Sequence, residues 1–186
     1  MQRFFITDLP ISGLKLIERK KLDDPRGFFS RLFCARELFS AGWVKQLVQI
    51  NHSYTARCGT VRGLHFQLPP YTEMKIVICL KGEIWDVAVD IRSGSPTFLK
   101  WHAEVLSERN NLALLIPEGF AHGFQTMTDH VEILYLHSAY YVPEAEGGIN
   151  PQDRHLSIRW PIPISEISNR DLSLPMIDSN FQGIYL

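Results

Sequence analysis

Residues 61–67 bring together two side chains that could act on a substrate, the cation Arg62 and the imidazole of His65, with the flexible Gly63 between them. Side chains alternate between the two faces of a β-strand, so a regular strand would place Arg62 and His65 on opposite faces. A β-bulge at Gly63 would return both side chains to the same face. The structural alternative is that His65 is a core residue whose ring nitrogens form hydrogen bonds with a neighbouring group.

Other polar side chains interrupt segments that otherwise have the composition of buried strands. They are Gln49, Asn51, Lys75, His122 and Tyr135. Lys75 stands directly before an apolar run, and its structural alternative is a charged residue that protects an edge strand from pairing. A small β-barrel has a concave mouth lined by inward-facing side chains, and we expect these residues to line such a mouth.

Metal binding is one chemistry that fits part of this set. His65, Glu73 and His122 would supply the two imidazoles and one carboxylate of a non-haem Fe(II) site. Residues 117–122 resemble the second metal-binding motif of the cupins. In the first motif, however, Gln67 stands where a second histidine is usual.

Proton transfer at a carbon next to a carbonyl is the other chemistry, and the nearby cations Arg62 and Lys75 favour it over a metal ion. The reaction needs a base, a cation for the developing enolate and an acid on the opposite face. His65 suits the base, Lys75 the enolate oxygen and Tyr135 the acid. Arg62 and His122 remain as donors to an anionic group such as a diphosphate. We therefore expect no metal and no cofactor.

Short apolar runs separated by Gly or Pro turns predict the elements that position these residues. Strands are expected near residues 4–6, 14–17, 28–33, 46–51, 74–80, 84–91, 98–106, 112–116, 120–126 and 131–135. Many short strands with almost no helical periodicity predict an all-β sandwich or jelly-roll barrel. We expect one short helix over residues 35–41, ended by Gly42, and a helical turn within residues 167–174.

Composition limits the function classes. The chain of 186 residues, 45% of them hydrophobic, fits a single domain over residues 1–186. Its formal net charge of −1 argues against nucleic acid as a partner. Three scattered cysteines favour a reducing compartment, and no stretch is apolar enough for a signal or a membrane span, which predicts a cytoplasmic protein with no membrane partner.

Five histidines have no evident partner in the sequence, and we treat them as surface or structural residues. They are His52, His102, His130, His137 and His155.

Ordered blocks over nearly the whole chain resemble the dTDP-4-dehydrorhamnose 3,5-epimerases. Residues 61–67, Val-Arg-Gly-Leu-His-Phe-Gln, match the signature Arg-Gly-Leu-His-(Tyr/Phe)-Gln of that family. Further similar blocks lie at residues 24–29, 49–53, 82–92, 95–97, 116–124, 140–144, 158–161 and 168–171. So many matches in order are more specific than any one motif.

The resemblance implies a metal-free, cupin-type double-stranded β-helix, or jelly roll, with a few short helices. It implies a homodimer formed by exchange of N-terminal strands, with residues 143–186 packed on the barrel. It also implies the substrate, a nucleotide-diphosphate sugar of the dTDP-4-dehydro-6-deoxyglucose type, and its epimerisation at C3, C5 or both.

The resemblance also assigns roles to residues. The catalytic histidine falls on His65, its orienting aspartate on Asp171, the enolate-stabilising lysine on Lys75 and the acid tyrosine on Tyr135. The substrate-binding positions, some of them contributed across the dimer, fall on Arg26, Phe29, Arg31, Gln49, Asn51, Arg62, His122 and Arg170.

Two departures from the family pattern leave questions open. Arg31 stands where the family usually has a glutamate. A cationic donor there replaces an anionic acceptor and inverts the hydrogen bonds offered to the thymine of the nucleotide. Leu136 stands where a lysine often follows the acid tyrosine. The alternatives are a different nucleotide, inversion of only one carbon, and a metal-dependent cupin oxygenase or isomerase. The final sugar is not evident from the residues.

Overall fold

The computed structural model describes residues 2–186, and strands dominate it. The strands are β1 (Phe4–Asp8), β2 (Lys15–Arg19), β3 (Lys21–Asp24), β4 (Gly27–Ser30), β5 (Gln49–Thr55), β6 (Thr60–Gln67), β7 (Lys75–Lys81), β8 (Glu83–Asp90), β9 (Trp101–Ser107), β10 (Leu112–Ile116), β11 (Phe120–Thr126), β12 (Val131–His137), β13 (Glu146–Gly148) and β14 (Glu166–Ile167). The helices are α1 (Ala35–Leu38) and α2 (Asn169–Leu172), with 3-10 turns at Phe39–Ala41 and Pro143–Ala145. The all-β prediction is confirmed.

Two sheets form the two walls of the jelly roll. The first has the strand order β1-β2-β10-β7-β12-β5, and the second has the order β13-β6-β11-β8-β9, with β14 added in parallel beside β6. Strands β3 and β4 form a separate two-stranded hairpin. This arrangement is the predicted cupin-type double-stranded β-helix.

The innermost core lies between the two sheets because alternate residues of each strand point inward. Val77 and Cys79 of β7 face Ile84 and Ala88 of β8 across this space, and all four are fully buried. Strand β7 lies between β10 and β12, in the middle of its sheet. The edge-strand explanation for Lys75 at its start is therefore wrong.

The outer faces of both sheets are also covered, which explains why several strands are apolar on both faces. Leu38 of α1 and Trp43 pack with Ile76 and Ile78 on the outer face of the first sheet. C-terminal residues pack against the outer face of the second sheet; among them are Ile149, Leu156, Ile177 and Ile184. In residues 2–186 no helix has the length and apolar character needed to cross a membrane.

A β-bulge interrupts the pairing of β6 with β11. His65 pairs with His122, but Arg62 pairs with Phe124, so Gly63 and Leu64 together oppose the single residue Gly123. The extra residue reverses the alternation, as expected for a bulge at Gly63. Arg62 and His65 consequently line the same cavity, while Leu64 packs into the outer core.

The strands differ from the expected ones in several places. Strand β3 was not expected, and the strands expected at residues 46–51 and 98–106 lie at Gln49–Thr55 and Trp101–Ser107. Nothing in the sequence pattern indicates β13 and β14, because three-residue and two-residue strands are too short to show alternation; they form by pairing with β6. The strand expected to continue to residue 33 ends at Ser30, because β4 has only the short β3 as a partner.

Gly63 allows us to test how strongly the bulge is specified. Its φ is +119°, and an added Cβ would lie 2.6 Å from Gly123 Cα and 2.7 Å from the carbonyl oxygen of His122. We expect Gly63→Ala to lower the free energy of unfolding by about 3 kcal/mol through backbone strain and overlap. The control is Gly94→Ala, where φ is +75° but no atom lies within 4 Å of the added Cβ, with an expected loss of about 1 kcal/mol. Equal losses in urea unfolding would contradict the tight packing at the bulge.

Candidate active site

The inner space between the sheets opens at one end into a cavity of about 820 Å³. Strands β5, β6, β7, β11 and β12 line it together with residues of the C-terminal segment. Of the twelve residues given a catalytic or substrate-binding role from the sequence, eight line this cavity: Asn51, Arg62, His65, Lys75, His122, Tyr135, Arg170 and Asp171.

The imidazole of His65 is held by the carboxylate of Asp171. Ser168 caps α2 by accepting the backbone N–H of Asp171, which places this side chain in the first turn beside β6. Asp171 accepts hydrogen bonds from His65 Nε2 at 2.8 Å and from the backbone N–H of Gly63 at 3.1 Å. One side chain thus fixes both the bulge and the ring beside it.

Asp171 also sets which nitrogen of His65 is free. Burial alone would raise the pKa of the Asp171 carboxyl, but the hydrogen bonds from His65 and Gly63 lower it overall. An ionised carboxylate only accepts hydrogen bonds, so Nε2 of His65 carries the proton and Nδ1 keeps a lone pair. The ring can therefore act as a base through Nδ1, and its side chain is 33% exposed to the cavity.

Lys75 points into the inner space and pairs with Glu73. The distance between Lys75 Nζ and Glu73 Oε1 is 2.8 Å, and His137 Nδ1 lies 2.7 Å from the second carboxylate oxygen. Burial alone would raise the pKa of Glu73, but the Lys75 charge and the His137 hydrogen bond lower it to about 2. Glu73 is therefore an anion at neutral pH.

A second buried pair joins His122 and Asp86. His122 Nε2 lies 2.7 Å from Asp86 Oδ1, and Asp86 is fully buried. The other carboxylate oxygen of Asp86 has no hydrogen-bond partner within residues 2–186. Burial raises the pKa of Asp86, and the charge and hydrogen bond of His122 oppose that effect only in part.

Tyr135 presents its phenol to the same cavity. Ser53 donates a hydrogen bond of 3.3 Å to the phenol oxygen, and the ring contacts those of His122 and His137 at centroid distances of 6.2 Å and 6.1 Å. Burial raises the pKa of Tyr135 well above its usual range. The phenol is therefore protonated at neutral pH and able to give a proton.

Cations lie around the mouth of the cavity. Arg170 forms an ion pair with Glu146, which also accepts the hydroxyl of Tyr141 at 2.8 Å. Arg62 is exposed, and its guanidinium donates a long hydrogen bond of 3.4 Å to the carbonyl of Tyr54. Exposed cations of this kind suit an anionic group that enters from solvent.

The remaining four residues singled out from the sequence do not line the cavity of this chain. Gln49 stands behind Asn51 and donates to it at 3.1 Å. Arg26 and Phe29 lie on the β3–β4 hairpin, where Arg26 pairs with Asp24 and Phe29 is 62% exposed. Arg31 pairs with Glu37 of α1.

The side chains of the alternative metal set do not converge. His65 is bonded to Asp171, Glu73 to Lys75 and His137, and His122 to Asp86. Across residues 2–186, no three His, Cys, Asp or Glu side chains are grouped so as to hold a metal ion.

Sequence reasoning missed two cavity residues and one supporting carboxylate. His137, treated as having no partner, is only 8% exposed and bonds to Glu73; that glutamate was considered only as a metal ligand. Asp86 was not singled out. Alternation could have indicated two of them, because His137 lies two residues after Tyr135, and Asp86 lies between the inward-facing Ile84 and Ala88.

Comparison with known proteins gives one family. The family model described as dTDP-4-dehydrorhamnose 3,5-epimerase matches residues 8–179. The curated dTDP-4-dehydrorhamnose 3,5-epimerase of Sinorhizobium fredii is 40% identical over 184 residues, which cover 95% of this chain and 91% of that protein.

Two solved structures are similar throughout. That of dTDP-4-dehydrorhamnose 3,5-epimerase from Bacillus anthracis, with TDP and PPi bound, has a TM-score of 0.90 and 37% identity and covers 94% of this chain and 99% of that one. That of dTDP-6-deoxy-D-glucose-3,5-epimerase from Legionella pneumophila, in complex with dTDP-4-keto-L-rhamnose, has a TM-score of 0.90 and 39% identity and covers 98% and 99%.

The lowered pKa of Glu73 predicts a dependence of stability on pH. Because the folded pKa of about 2 lies below the ordinary value of 4.5, the ionised carboxylate stabilises the fold above pH 4.5, and this is lost as pH falls toward 2. We expect Glu73→Gln to cost about 3 kcal/mol at pH 7, and more than half of this difference to vanish by pH 3.

Urea unfolding of both proteins from pH 7 to pH 3 measures this difference. Glu132→Gln is the control, because Glu132 pairs with His52 at the surface and its carboxylate is not enclosed. A cost for Glu73→Gln that stays constant with pH would contradict the lowered pKa.

Proposed function

This chain belongs to the dTDP-4-dehydrorhamnose 3,5-epimerase family, and on that premise we propose how its residues carry out the reaction. It is an isomerase of deoxysugar biosynthesis that epimerises a nucleotide-linked 4-keto-6-deoxyhexose at C3, C5 or both. The assignment of roles rests on one observation: His65, Lys75 and Tyr135 line a single cavity, with Asp171 bonded to the imidazole.

His65 removes the proton next to the ketone. Its Nε2–H is bonded to Asp171, so Nδ1 is the atom that takes the proton from C5 and then from C3. The imidazolium formed by this step gains from the adjacent anion of Asp171. Base and orienting carboxylate thus act as a unit.

Lys75 stabilises the charge that this step creates. Loss of the α-proton moves negative charge onto the C4 oxygen, and an ammonium group in a largely buried site stabilises that enolate more than it would in water. Lys75 is 5% exposed and faces the cavity. A neutral side chain of similar length would lack this effect.

Tyr135 returns a proton to the opposite face of the ring. A high pKa keeps the phenol protonated until a carbanion-like centre takes its proton. Proton removal by one group and return by another inverts the carbon. We propose that C3 and C5 are both inverted; inversion of one carbon is the alternative.

Cationic residues bind the anionic diphosphate. Arg62 and Arg170 at the mouth of the cavity, and His122 inside it, can donate hydrogen bonds to a diphosphate that lies next to the sugar. Asn51 is placed for a contact with the nucleotide, with Gln49 behind it. We propose dTDP as the nucleotide. Arg31, which stands where the family usually has a glutamate, pairs with Glu37. Because of this departure, a different nucleotide is the alternative.

The active form is proposed to be a homodimer in which each chain is one domain over residues 1–186. Two features support the partner: Phe28 and Phe29 on the separate hairpin are each 62% exposed, and β5 ends its sheet with Ile50 56% exposed. A second copy would cover such apolar surface and bring Arg26, Phe29 and Arg31 to a site they do not reach within their own chain. A cytoplasmic location stays a prediction.

Tyr135→Phe separates proton removal from proton return. We expect it to exchange solvent deuterium into C3 and C5 of dTDP-4-keto-6-deoxyglucose while forming inverted product at least about 10² times more slowly. Proton NMR in deuterated water records both processes and shows whether one carbon or two are inverted.

His65→Asn is the matched control for that experiment. It should lose exchange and inversion together, each by about 10²–10⁴. Exchange at the wild-type rate by His65→Asn would remove His65 from the role of base. Loss of exchange in Tyr135→Phe would give Tyr135 a different role.

Complementation tests the shared site of the proposed dimer. His65→Asn disables the cavity, and Arg26→Ala with Phe29→Ala disables the hairpin. If the hairpin serves the partner's cavity, a mixed dimer has one intact site and one site with both defects. Co-expression of the two variants in equal amounts should then restore about a quarter of wild-type activity. No gain over the separate variants would place the hairpin in its own chain's site.

A further inference from the structure

Glu73 and His137 are buried in the wall of the cavity, and the steps above give neither of them a task. The side chains of Glu73 and His137 are 11% and 10% exposed. They bond to each other at 2.7 Å, and Glu73 holds Lys75 at 2.8 Å. His137 is also the direct cross-strand neighbour of Lys75 in the pairing of β12 with β7.

A series of hydrogen bonds that begins at the backbone of Tyr141 determines which atom donates in the contact between His137 and Glu73. The backbone N–H of Tyr141 donates to Gln49 Oε1 at 3.0 Å, which leaves the amide nitrogen of Gln49 to donate to Asn51 Oδ1 at 3.1 Å. The amide nitrogen of Asn51 then faces His137 Nε2 at 3.4 Å. Because a backbone N–H can only donate, the orientation of both amides follows from it.

The inner end of this series requires the same polarity. Nε2 of His137 accepts from Asn51, so Nδ1 carries the proton and donates to Glu73. The carboxylate of Glu73 then accepts from His137 on one oxygen and from Lys75 on the other. Because an ionised carboxylate can only accept hydrogen bonds, the contact with Glu73 requires the Nδ1–H tautomer of His137. The contact with Asn51 requires the same tautomer.

We propose that Glu73 and His137 are positioning residues for Lys75. Glu73 fixes the flexible ammonium group where the enolate oxygen develops, and His137 holds Glu73 in that orientation. The inference rests on the role proposed for Lys75 in the reaction.

The physical reason is the length and the burial of the lysine side chain. The lysine side chain has four rotatable bonds, so an unanchored amine would occupy any one position only a small fraction of the time. A buried amine without a counter-charge also favours its neutral form, which stabilises an enolate poorly. Glu73 is the one carboxylate within ion-pair distance of Lys75 in residues 2–186.

Other titratable groups face the same space and affect the same charge. Strand β8 contributes Asp86, β11 contributes His122, β12 contributes Tyr135 and His137, and β6 contributes Arg62 and His65. On the remaining neighbour, β10, the residue paired with Lys75 is the apolar Ile116. The acids Glu146, Glu166 and Asp171 also line the cavity, but in residues 2–186 only Glu73 lies within ion-pair distance of Lys75.

The first test removes the charge of Glu73. We expect Glu73→Gln to lower kcat about tenfold with KM changed less than about twofold. Glu132→Gln on β12 is the control, because its partner His52 and its own carboxylate lie outside the cavity; it should change neither value.

The second test removes the support of His137 and then restores it. His137→Val should lower kcat about tenfold. His137→Asn, whose amide nitrogen occupies roughly the position of Nδ1, should stay within about threefold of the wild type. Nitrogen NMR of the wild type should show His137 as the Nδ1–H tautomer, a result independent of activity.

The outcomes separate this inference from the proposed function. If Lys75→Met is inactive while Glu73→Gln and His137→Val keep wild-type kcat, the positioning role is wrong and the role of Lys75 stands. If Lys75→Met is fully active, the proposed role of Lys75 is wrong. Equal loss in His137→Val and His137→Asn, or an Nε2–H tautomer, would also overturn the inference.

Discussion

The carboxylate of Asp171 is the contact on which the rest of the site depends. It accepts the backbone N–H of Gly63 and the ring N–H of His65, and so joins the short helix α2 to the bulge in β6. The bulge is what turns Arg62 and His65 toward one cavity. The carboxylate of Asp171 thus holds the backbone of the bulge and also determines which nitrogen of His65 carries the proton.

The same design occurs three times around the cavity. Asp171 holds His65, Asp86 holds His122, and Glu73 holds Lys75 and His137. Each carboxyl group fixes the orientation of a side chain that would otherwise rotate, and each is largely shielded from bulk water. Within residues 2–186 the phenol of Tyr135 bonds to the hydroxyl of Ser53, and burial raises its pKa, which suits its proposed task as a proton donor. Differences in environment thus separate a base from an acid within one space.

Local patterns were sufficient for most of the longer strands and for part of the site. The apolar runs predicted an all-β sandwich or jelly roll, and Gly63 was the position where a bulge would put Arg62 and His65 on one face. Lys75 and Tyr135 stood out as polar residues in apolar runs. These signals are short-range, and short-range signals are what a single sequence carries best.

The remaining part of the site depends on contacts between distant segments. Asp171 is 106 positions from His65, and only the resemblance to a family pointed to it. The bond between Glu73 and His137 spans 64 positions, and β13 and β14 exist only because β6 offers them an edge. The roles proposed for Arg26, Phe29 and Arg31 would require a second chain, which no pattern within this chain describes.

The most direct measurement of the central claim is the rate at which Asp171→Asn exchanges solvent deuterium into the sugar. An amide at this position keeps the size of the side chain but can no longer hold the proton on Nε2 as an anion does. We expect the exchange rate to fall by about 10²–10⁴ in a protein that still folds. Exchange at close to the wild-type rate would contradict the claim that this carboxylate makes His65 the base.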